Sequence, residues 1–347
     1  EHDAVLVATG QQDQRELRLG MNGTEAVVQG IDFLDHVHHG DVRVDGEDVV
    51  VIGGGNTAMD AARSALRLGA DSVRIVYRRT RDEMPAIREE IDETLEEGIA
   101  IDYLTQPVAL KEDPSDGMRR HYRLTCRRME LGEPDESGRR APIEIAGSDF
   151  ELPCHRVILA LGQSPDVSVF PEGTEVREGT RLLGLLETPV FAVGDLATRE
   201  GTVAAAIGSG RRTAVHIHNV LSGEYVQISE HADAPRDVDV WTDEVIRADA
   251  MKLHLFERQA VAEGESLDVA ERRSTFDEVH MGLDNAEEAS RCLSCGVCNE
   301  CDLCCTYCPE GVLKRVGHRL EFDYGYCKGC GVCVAECPRN VIFMSHL

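Results

Sequence analysis

Two cysteine runs near the end of the chain constrain its fold more than any other feature. Eleven of the thirteen cysteines lie between Cys292 and Cys337. Each run follows the pattern C-x2-C-x2-C-x3-C-P, in which two residues between successive cysteines leave just enough chain to wrap one shared centre. The first run consists of Cys298, Cys301, Cys304 and Cys308, and the second of Cys327, Cys330, Cys333 and Cys337.

This duplicated spacing is typical of a bacterial ferredoxin with two [4Fe-4S] clusters, in which the fourth cysteine of each run binds the cluster of the other run. The pattern therefore predicts two ligand sets. Cluster I takes Cys298, Cys301, Cys304 and Cys337, and cluster II takes Cys327, Cys330, Cys333 and Cys308.

Two other uses of these cysteines, zinc binding and disulfide formation, fit the sequence less well. Paired C-x2-C units also suit tetrahedral zinc, but a zinc pair rarely needs two complete runs that each end in proline. A disulfide framework suits small secreted scaffolds, which the long upstream region does not resemble. Cys292, Cys295 and Cys305 remain open between packing beside a cluster and a ligand or tuning role, and Cys295 could replace Cys304 as a ligand.

Composition limits the function classes. A chain of 347 residues with 42% hydrophobic and 29% charged residues is long enough for two or three globular domains. The net charge of -27 disfavours nucleic acid as a partner, because phosphate binding needs clustered lysine and arginine. No run of eighteen apolar residues predicts a membrane span. We expect a cytoplasmic protein.

A glycine fingerprint marks a nucleotide site. The apolar strand Asp48–Ile52 runs directly into a G-x-G-x-x-A turn that opens a helix reaching about Leu68, the context that dinucleotide binding requires. Gly53 allows the tight turn, Gly55 admits the pyrophosphate, and Ala58 lets the helix lie close to the strand. The candidate binding residues of this turn are Gly53, Gly54, Gly55, Asn56, Thr57 and Ala58.

The next strand, Ser72–Tyr77, ends in Arg78 and Arg79, with Arg81 close behind. An acid usually stands there in sites for NADH, where it binds the ribose 2'-hydroxyl, whereas arginines favour the 2'-phosphate of NADPH. The alternative is a solvated basic turn without a ligand.

A second dinucleotide site is indicated later in the chain. The strand Val157–Leu161 ends at Gly162, and the strand Pro189–Val193 ends at Gly194 and Asp195. A helix of small residues then runs from Thr202 to about Leu221. We expect Asp195 to bind a ribityl or ribose hydroxyl, and Thr202 and Val203 at the helix start to face a flavin.

The remaining segments carry structure rather than chemistry. We expect a first strand at Ala4–Ala8, an amphipathic helix at Glu83–Glu97, an antiparallel meander between Ile99 and Asp149, and a linker over Ser222–Asn285. A short helix at Ile31–His38 explains three histidines better than a metal site does, because a helix C-terminus favours histidine. Those histidines are His36, His38 and His39, and two packed thiols are expected at Cys126 and Cys154.

With these motifs assembled, the sequence resembles the small (beta) subunit of NADPH-dependent glutamate synthase and those relatives that carry a C-terminal ferredoxin domain. The segments that carry the resemblance are ATG at Ala8–Gly10, VVVIGGGNTAMDAARSALRLGA, VYRRTRDEMPA, MELGEPDESGRR, LALGQSPD, TVAAAIGSGRR and RCLSCGVCNECDLC. The resemblance implies an α/β flavoprotein with two Rossmann-like dinucleotide-binding domains, one for FAD and one for NADPH, followed by a ferredoxin-like α+β domain.

The resemblance also implies a division of the chain. Residues 1–39 and 162–223 would belong to the FAD domain, 40–161 to an inserted NADPH domain, 224–285 to a linker, and 286–347 to the 2[4Fe-4S] domain. The first glycine fingerprint of the family, which holds the FAD pyrophosphate, should precede Ala8 and is absent from the sequence. We therefore expect an N-terminally incomplete chain whose own FAD binding is in doubt.

The expected function is electron transfer: hydride passes from NADPH to FAD, and single electrons pass through two [4Fe-4S] clusters to a partner in a hetero-oligomer. That partner is a glutamate synthase large subunit, a ferredoxin or a terminal reductase, and no protein acid or base is needed as a catalytic residue. The rival is a non-catalytic electron-wiring or scaffold subunit. A disulfide reductase would need a redox-active cysteine pair upstream of Cys292, and none is visible.

Overall fold

The computed structural model describes residues 2–21, 23–114, 120–135, 138–168, 170, 174, 176, 181–182, 188–223, 250–262, 264–283, 286–293, 295 and 297–344. The chain divides into two compact units, the first made of 1–224 and 267–279, the second of 225–266 and 280–347. Much of the expected linker, at 224–249, lies outside the described residues. No helix among the described residues is long and apolar enough to cross a membrane.

The described elements are sixteen strands and eight α-helices, with additional 3-10 turns that include Arg81–Glu83. The strands are β1 (Val5–Val7), β2 (Asp13–Gln14), β3 (Val27–Gln29), β4 (Asp48–Ile52), β5 (Ser72–Val76), β6 (Ala100–Asp102), β7 (Thr105–Asp113), β8 (His121–Pro134), β9 (Arg140–Glu144), β10 (Phe150–Cys154), β11 (Arg156–Leu159), β12 (Gln163–Ser164), β13 (Arg181–Leu182), β14 (Val190–Ala192), β15 (Leu313–Val316) and β16 (Arg319–Phe322). The helices are α1 (Gly30–His39), α2 (Asn56–Arg67), α3 (Arg88–Glu96), α4 (Asp195–Thr198), α5 (Val203–Ser222), α6 (Val269–Arg272), α7 (Leu303–Thr306) and α8 (Val332–Glu336).

A parallel five-stranded sheet in the order β3-β11-β4-β5-β6 is the centre of the first unit. Side chains of β4 alternate between its two faces, as the period of a strand requires. Val49 and Val51 pack with α1, α2 and α3, while Val50 and Ile52 pack against the antiparallel strands β7, β8 and β10. The sheet is therefore covered on both faces, which explains why β4 reads as a continuous apolar run.

The order of this sheet places a segment before residue 40 together with the strands of residues 40–161. Strand β3 pairs in parallel with β11, and Phe33 of α1 is buried in the helix-side core. Strand β3 and helix α1 are thus part of the same sheet and helix layer as the glycine turn. A three-residue strand has almost no periodic signal, and its partner lies far along the chain, so the sequence alone did not reveal this pairing.

The expected helix at Glu83–Glu97 is shorter than predicted. The 3-10 turn Arg81–Glu83 ends two residues before Pro85. The residue before a proline is driven out of the helical region, and Met84 accordingly has an extended ψ of 129°. Helix α3 then starts afresh at Arg88. The antiparallel meander is confirmed: β10, β8 and β7 pair in that order, and β9 pairs with the far end of β8.

A smaller sheet holds the second glycine-rich turn. Strands β1 and β14 are parallel, β13 pairs with β14 in the opposite direction, and α4 and α5 follow β14 directly. A strap of residues 267–279, which contains α6, also belongs to the first unit, where Arg272 is buried between Glu93 and Glu96 of α3. This part of the expected linker therefore lies against the helix layer of the five-stranded sheet.

The second unit has a small core around its cysteines. The hairpin β15–β16 joins the two cysteine runs, and the short helices α7 and α8 each carry one cysteine of a run in their middle. Cys304, Val312 and Leu313 are buried together. Such a thin apolar core is typical of domains in which metal ligation supplies much of the folding energy.

Candidate functional site

The glycine turn after β4 contains three glycines, and an added Cβ atom would meet different surroundings at each of them. Gly53 has φ 151°, and a Cβ there would overlap the carbonyl oxygen of Ala160 at the end of β11. At Gly54 a Cβ would overlap the ring of Tyr77. Gly55 is different, because a Cβ there would meet only Pro85 Cγ, at 3.9 Å. The first two glycines are needed by the fold, while the third leaves open space at the start of α2.

That open space is suited to a phosphate. The amides of Asn56 and Thr57, the first two residues of α2, precede the first hydrogen bond of the helix, which Ala58 donates to the Gly55 carbonyl at 2.9 Å, and the helix dipole is positive there. Ala58 is fully buried, so α2 lies close against the sheet, and the methyl of Thr57 packs beside Gly30. The donor set of backbone amides therefore fits the pyrophosphate of a dinucleotide.

A loop over residues 80–87 is fastened to this turn and forms one side of the open space. The Ala86 amide donates to the Gly54 carbonyl at 3.1 Å, and the Tyr77 hydroxyl donates to the Glu83 carbonyl at 2.7 Å. Asn56 Oδ1 accepts the amide of Ile87 at 2.9 Å. The Asn56 side chain, predicted to bind the coenzyme, is therefore used here to hold the loop.

The two arginines at the end of β5 have different surroundings. Arg79 is only 3% exposed; its Nη2 donates to Asp135 at 2.5 Å and its Nε donates to the Arg140 carbonyl at 2.7 Å. Arg78 is exposed, and among the described residues its guanidinium forms no hydrogen bond or ion pair. Desolvation by the surrounding residues, with smaller effects of the neighbouring Arg79 and Arg139, lowers the pKa of Arg78. Sequence reasoning missed Asp135, because an acid in a hairpin turn carries no signal of its partner.

The second glycine turn, after β14, is built for a tight turn as well. Gly194 has φ 67° and ψ -154°, a region that favours glycine, and its amide donates to Ser209 Oγ at 2.9 Å. The Asp195 carboxylate accepts the amide of Gly201 at 3.1 Å and so closes the loop before α5. Gly162 lies elsewhere in this region, where its carbonyl accepts the amide of Arg15.

The start of α5 exposes apolar side chains. Thr202 is the N-cap, and its hydroxyl accepts the amide of Ala205 at 3.2 Å. Val203 is 77% exposed and Ile207 is 68% exposed, although both are apolar residues one turn apart. A helix start with a positive dipole end and exposed apolar side chains fits a flavin ring, which needs both.

Four cysteines from the two runs line one small cavity in the second unit. They are Cys298, Cys301, Cys304 and Cys337. Desolvation, aided by the adjacent Cys305, raises the pKa of the Cys304 thiol to about 12, and Cys337 Sγ accepts the Val341 amide at 3.4 Å. Four convergent thiols are the donor set that an iron-sulfur cluster requires.

Charged residues that the sequence did not single out lie beside these thiols. Arg315 and Asp302 also line the cavity, and the Nε of Arg315 donates to Asp302 at 2.7 Å. Hydrogen bonds to Asp302 and, more weakly, to the Cys298 thiol raise the pKa of Arg315. The only sequence signal was the position of Arg315 between the two cysteine runs.

The other four cysteines of the runs differ in exposure. Cys327 and Cys330 are exposed, while Cys308 and Cys333 are half-buried. Amides that follow Cys308, first that of Val312, donate to its sulfur and lower its pKa, whereas burial raises the pKa of Cys333. Amide donation to sulfur is one of the interactions that stabilise a charged cluster. Of the three unassigned cysteines, Cys292 and Cys295 are exposed and Cys305 is half-buried.

The remaining candidate groups are structural. Cys126 and Cys154 are fully buried, as predicted, and burial raises the pKa of each thiol to about 12. The last turn of α1 holds the three histidines, as expected, and its C-cap Gly40 is left-handed. His121, His155 and Asp48 lie within 4.8 Å of one another, but His155 Nδ1 accepts the Asp48 amide at 2.9 Å, which occupies that lone pair.

Comparison with curated proteins identifies three relatives. The chain is 35% identical over 312 residues to the NADP(+)-dependent formate dehydrogenase subunit beta of Moorella thermoacetica, covering 85% of this chain and 42% of the relative. It is 32% identical over 340 residues to the NADPH-Fe(3+) oxidoreductase subunit beta of Geobacter sulfurreducens, covering 84% and 48%. It is 36% identical over 249 residues to a putative glutamate synthase [NADPH] small chain of Cereibacter sphaeroides, covering 66% and 59%. The chain thus spans about half the length of the curated relatives it matches, and the resemblance to the glutamate synthase small subunit is confirmed.

Two families match the sequence itself. A 4Fe-4S binding domain matches residues 320–343, within the second unit. The pyridine nucleotide-disulphide oxidoreductase family matches residues 1–210, where the only cysteines are the buried Cys126 and Cys154. The family name therefore does not bring disulfide chemistry to this segment. Because the match covers more than half of the chain, this protein belongs to the pyridine nucleotide-disulphide oxidoreductase family, with a 4Fe-4S binding domain at its C-terminal end.

Proposed function

We propose that this chain is the electron-transfer part of an NADPH-dependent oxidoreductase, in which hydride from NADPH reduces FAD and single electrons leave through two [4Fe-4S] clusters to a partner protein. The observation that carries the proposal is the single cavity lined by Cys298, Cys301, Cys304 and Cys337. This set combines three cysteines of the first run with the last cysteine of the second, as cross-ligation in a two-cluster ferredoxin requires.

The residues of the first glycine turn would bind NADPH. The amides at the start of α2 would hold the pyrophosphate at the open space beside Gly55, and Arg78 would pair with the 2'-phosphate. The sequence also suggested Arg79 for this role. Its guanidinium donates a hydrogen bond to Asp135, so Arg79 would hold the backbone of Arg78 in place rather than bind the phosphate. Backbone amides and one guanidinium suffice, because hydride transfer between two cofactors depends on positioning rather than on a protein acid or base.

The residues around α5 would bind the flavin. The Asp195 carboxylate has acceptor capacity beyond the Gly201 amide, and Val203 and Ile207 offer apolar surface at the helix start. The positive end of the helix dipole would favour a negative charge on the reduced ring. Gly194 and Thr202 would not contact the flavin directly. Gly194 would set the turn after β14, and Thr202 would cap the start of α5.

A second cluster is part of the proposal. The matched 4Fe-4S domain covers residues 320–343 and so includes only the second cysteine run. Cys327, Cys330 and Cys333 with Cys308 would be its ligands, and the amides donated to Cys308 would stabilise the negative charge of a bound cluster.

The partner is proposed from the relatives. Two of those reported are named as beta subunits and one as a small chain, which supports a larger assembly with a catalytic subunit, a ferredoxin or a terminal reductase as electron acceptor. An electron-wiring or scaffold subunit without flavin chemistry is the alternative. Bleaching of bound FAD by NADPH in the full-length protein separates the two, since a scaffold would show no bleaching.

Iron and acid-labile sulfide analysis of anaerobically purified protein tests the cluster assignment. About eight iron and eight sulfide per chain are expected. Cys337→Ala should reduce both contents by about half, whereas the matched control Cys305→Ala should leave them unchanged. Zinc without sulfide would contradict the proposal and make the second unit a structural module.

A further inference from the structure

The described residues of the turn between β8 and β9, which are Asp135 and Gly138–Arg139, lie beside the end of β5, where the coenzyme's 2'-phosphate is proposed to bind. The turn is closed by the Asp135 amide, which donates to the Arg139 carbonyl at 2.7 Å, and by the Gly138 amide, which donates to the Asp135 carbonyl at 2.9 Å. Arg79 contacts this turn twice, through the Asp135 carboxylate and the Arg140 carbonyl. The antiparallel hairpin thereby fixes the backbone that carries Arg78.

These contacts assign different roles to two adjacent arginines. The guanidinium of Arg79 has two partners within the protein and is 3% exposed, so it has no free face for a ligand. The Arg79 carbonyl also accepts the Leu104 amide at 3.0 Å, which anchors the same residue to the start of β7. Arg78 is left exposed, and its backbone position is set by the residue that follows it.

We propose that Asp135 is a positioning residue for coenzyme choice: by holding Arg79 in the hairpin, it presents Arg78 to the 2'-phosphate and thus favours NADPH over NADH. This inference rests on the proposed NADPH site. Asp135 itself carries a negative charge and would repel a phosphate in direct contact, so its contribution runs through Arg79 and Arg78. The Arg79 side chain is 3% exposed and that of Asp135 is 33% exposed, so the pair fixes Arg79 while the neighbouring Arg78 stays exposed.

Binding of NADP+ and NAD+ to the chain, measured by calorimetry, tests this proposal without any flavin or cluster chemistry. Arg78→Gln should weaken NADP+ binding roughly ten- to a hundredfold, as expected for a lost charge-assisted contact, and leave NAD+ binding unchanged. Asp135→Asn should weaken NADP+ binding about fivefold, again without an effect on NAD+. In the double variant the second change should add nothing to the first, because Asp135 acts through Arg78.

Controls separate this effect from general damage to the fold. Glu133→Gln removes the same charge from the same hairpin at an exposed residue with no partner among the described residues, and it should leave both affinities unchanged. Asp135→Glu should restore part of the NADP+ preference. If Asp135→Asn does not fold, the paired change Arg79→Met with Asp135→Leu removes the ion pair without leaving a buried charge and should lose the same preference.

The outcomes are distinguishable. Equal weakening of both coenzymes by Asp135→Asn, no change, or tighter NADP+ binding would each overturn the positioning role. A wild-type chain that binds NADP+ no better than NAD+ would instead overturn the proposed NADPH site on which the inference rests.

Discussion

At the scale of single residues, neighbouring positions of the same amino-acid type have separate tasks. Gly54 has no room for a Cβ beside Tyr77, while Gly55 faces open space and has an extended backbone that any residue adopts, with φ -94° and ψ 176°. The same division holds for Arg78 and Arg79, of which only the first is exposed. Residues of the same type in one motif can therefore be packed against the fold at one position and be accessible to a ligand at the next.

The glycine pair leads to a first prediction. Gly54→Ala should lower the free energy of unfolding by about 1–3 kcal/mol, because the added methyl must displace the Tyr77 ring. Gly55→Ala should change stability by less than about 0.5 kcal/mol yet weaken NADP+ binding, because the methyl enters the space proposed for the pyrophosphate. Urea unfolding and calorimetric binding measure the two effects. Equal effects of both variants on stability would contradict this division.

The buried thiols lead to a second prediction, for pH dependence. Because burial raises the pKa of Cys126 and Cys154 from 9.0 to about 12, both remain neutral thiols at pH 8 and should resist alkylation until the chain unfolds. Their contribution to stability is fully present below pH 9 and is lost as the pH rises from 9 to about 12, since only the unfolded state ionises readily in that range. Mass spectrometry after iodoacetamide treatment of native and urea-unfolded protein checks this. Labelling of the native chain at either residue would refute it.

The charged pair beside the cluster cavity leads to a third prediction. If the proposed cluster binds in this cavity, Arg315→Gln should lower its reduction potential by roughly tens of millivolts, because a nearby positive charge favours the reduced, more negative cluster. Asp302→Asn should shift it upward for the opposite reason. Redox titration followed by electron paramagnetic resonance measures both, and shifts of the same sign would show that packing rather than charge is responsible.

At the scale of elements, a buried ionic cluster joins α2 and α3, and the strap of residues 267–279 extends it. Glu97 is fully buried and receives Arg63 at 2.6 Å and Arg67 at 3.0 Å. Nε of Arg67 also donates to the Thr275 carbonyl of the strap at 2.9 Å. The charged face of α3 is thus partly enclosed.

Paired substitutions on α3 test the energetic weight of this cluster. Glu97→Gln should destabilise the first unit by about 3–5 kcal/mol, because it leaves buried arginines without their carboxylate. Glu96→Gln should cost less than about 1 kcal/mol, since Glu96 is 57% exposed although it also pairs with Arg272 of the strap. Denaturant unfolding followed by circular dichroism compares them. A similar cost for both would mean that burial does not decide the strength of these pairs.

At the scale of the whole molecule, acidic residues outnumber basic ones by 63 to 36. The excess charge of -27 repels itself across the surface, and salt screens this repulsion over about 10 Å at 0.1 M. The thermal unfolding midpoint should therefore rise between 10 and about 200 mM sodium chloride. Calorimetry at fixed pH measures this shift, with sodium acetate as a control for the choice of anion. A fall in the midpoint would show that the ion pairs described above outweigh the net charge.

Features that depend on short-range spacing could be predicted from the amino-acid sequence. The interval between cysteines, the strand, glycine turn and helix over residues 48–67, and the apolar strands β11 and β14 all depend on neighbours within a few positions, so their patterns were legible without coordinates. Spacing also predicted that Cys337 would bind the same cluster as the first three cysteines of the first run, because in the duplicated pattern the fourth cysteine of each run binds the cluster of the other.

Which side chains are exposed and which already have a partner could be seen only in the folded chain. Three features depend on contacts between distant segments. They are the place of β3 in the five-stranded sheet, the hydrogen bond of Asn56 to the loop of residues 80–87, and the pairing of Arg79 with Asp135. Burial and pairing of a charged side chain are set by whatever packs above it, and no local pattern encodes that neighbour. The sequence therefore located the glycine turn and the arginines, while the fold leaves Arg78 exposed and buries Arg79.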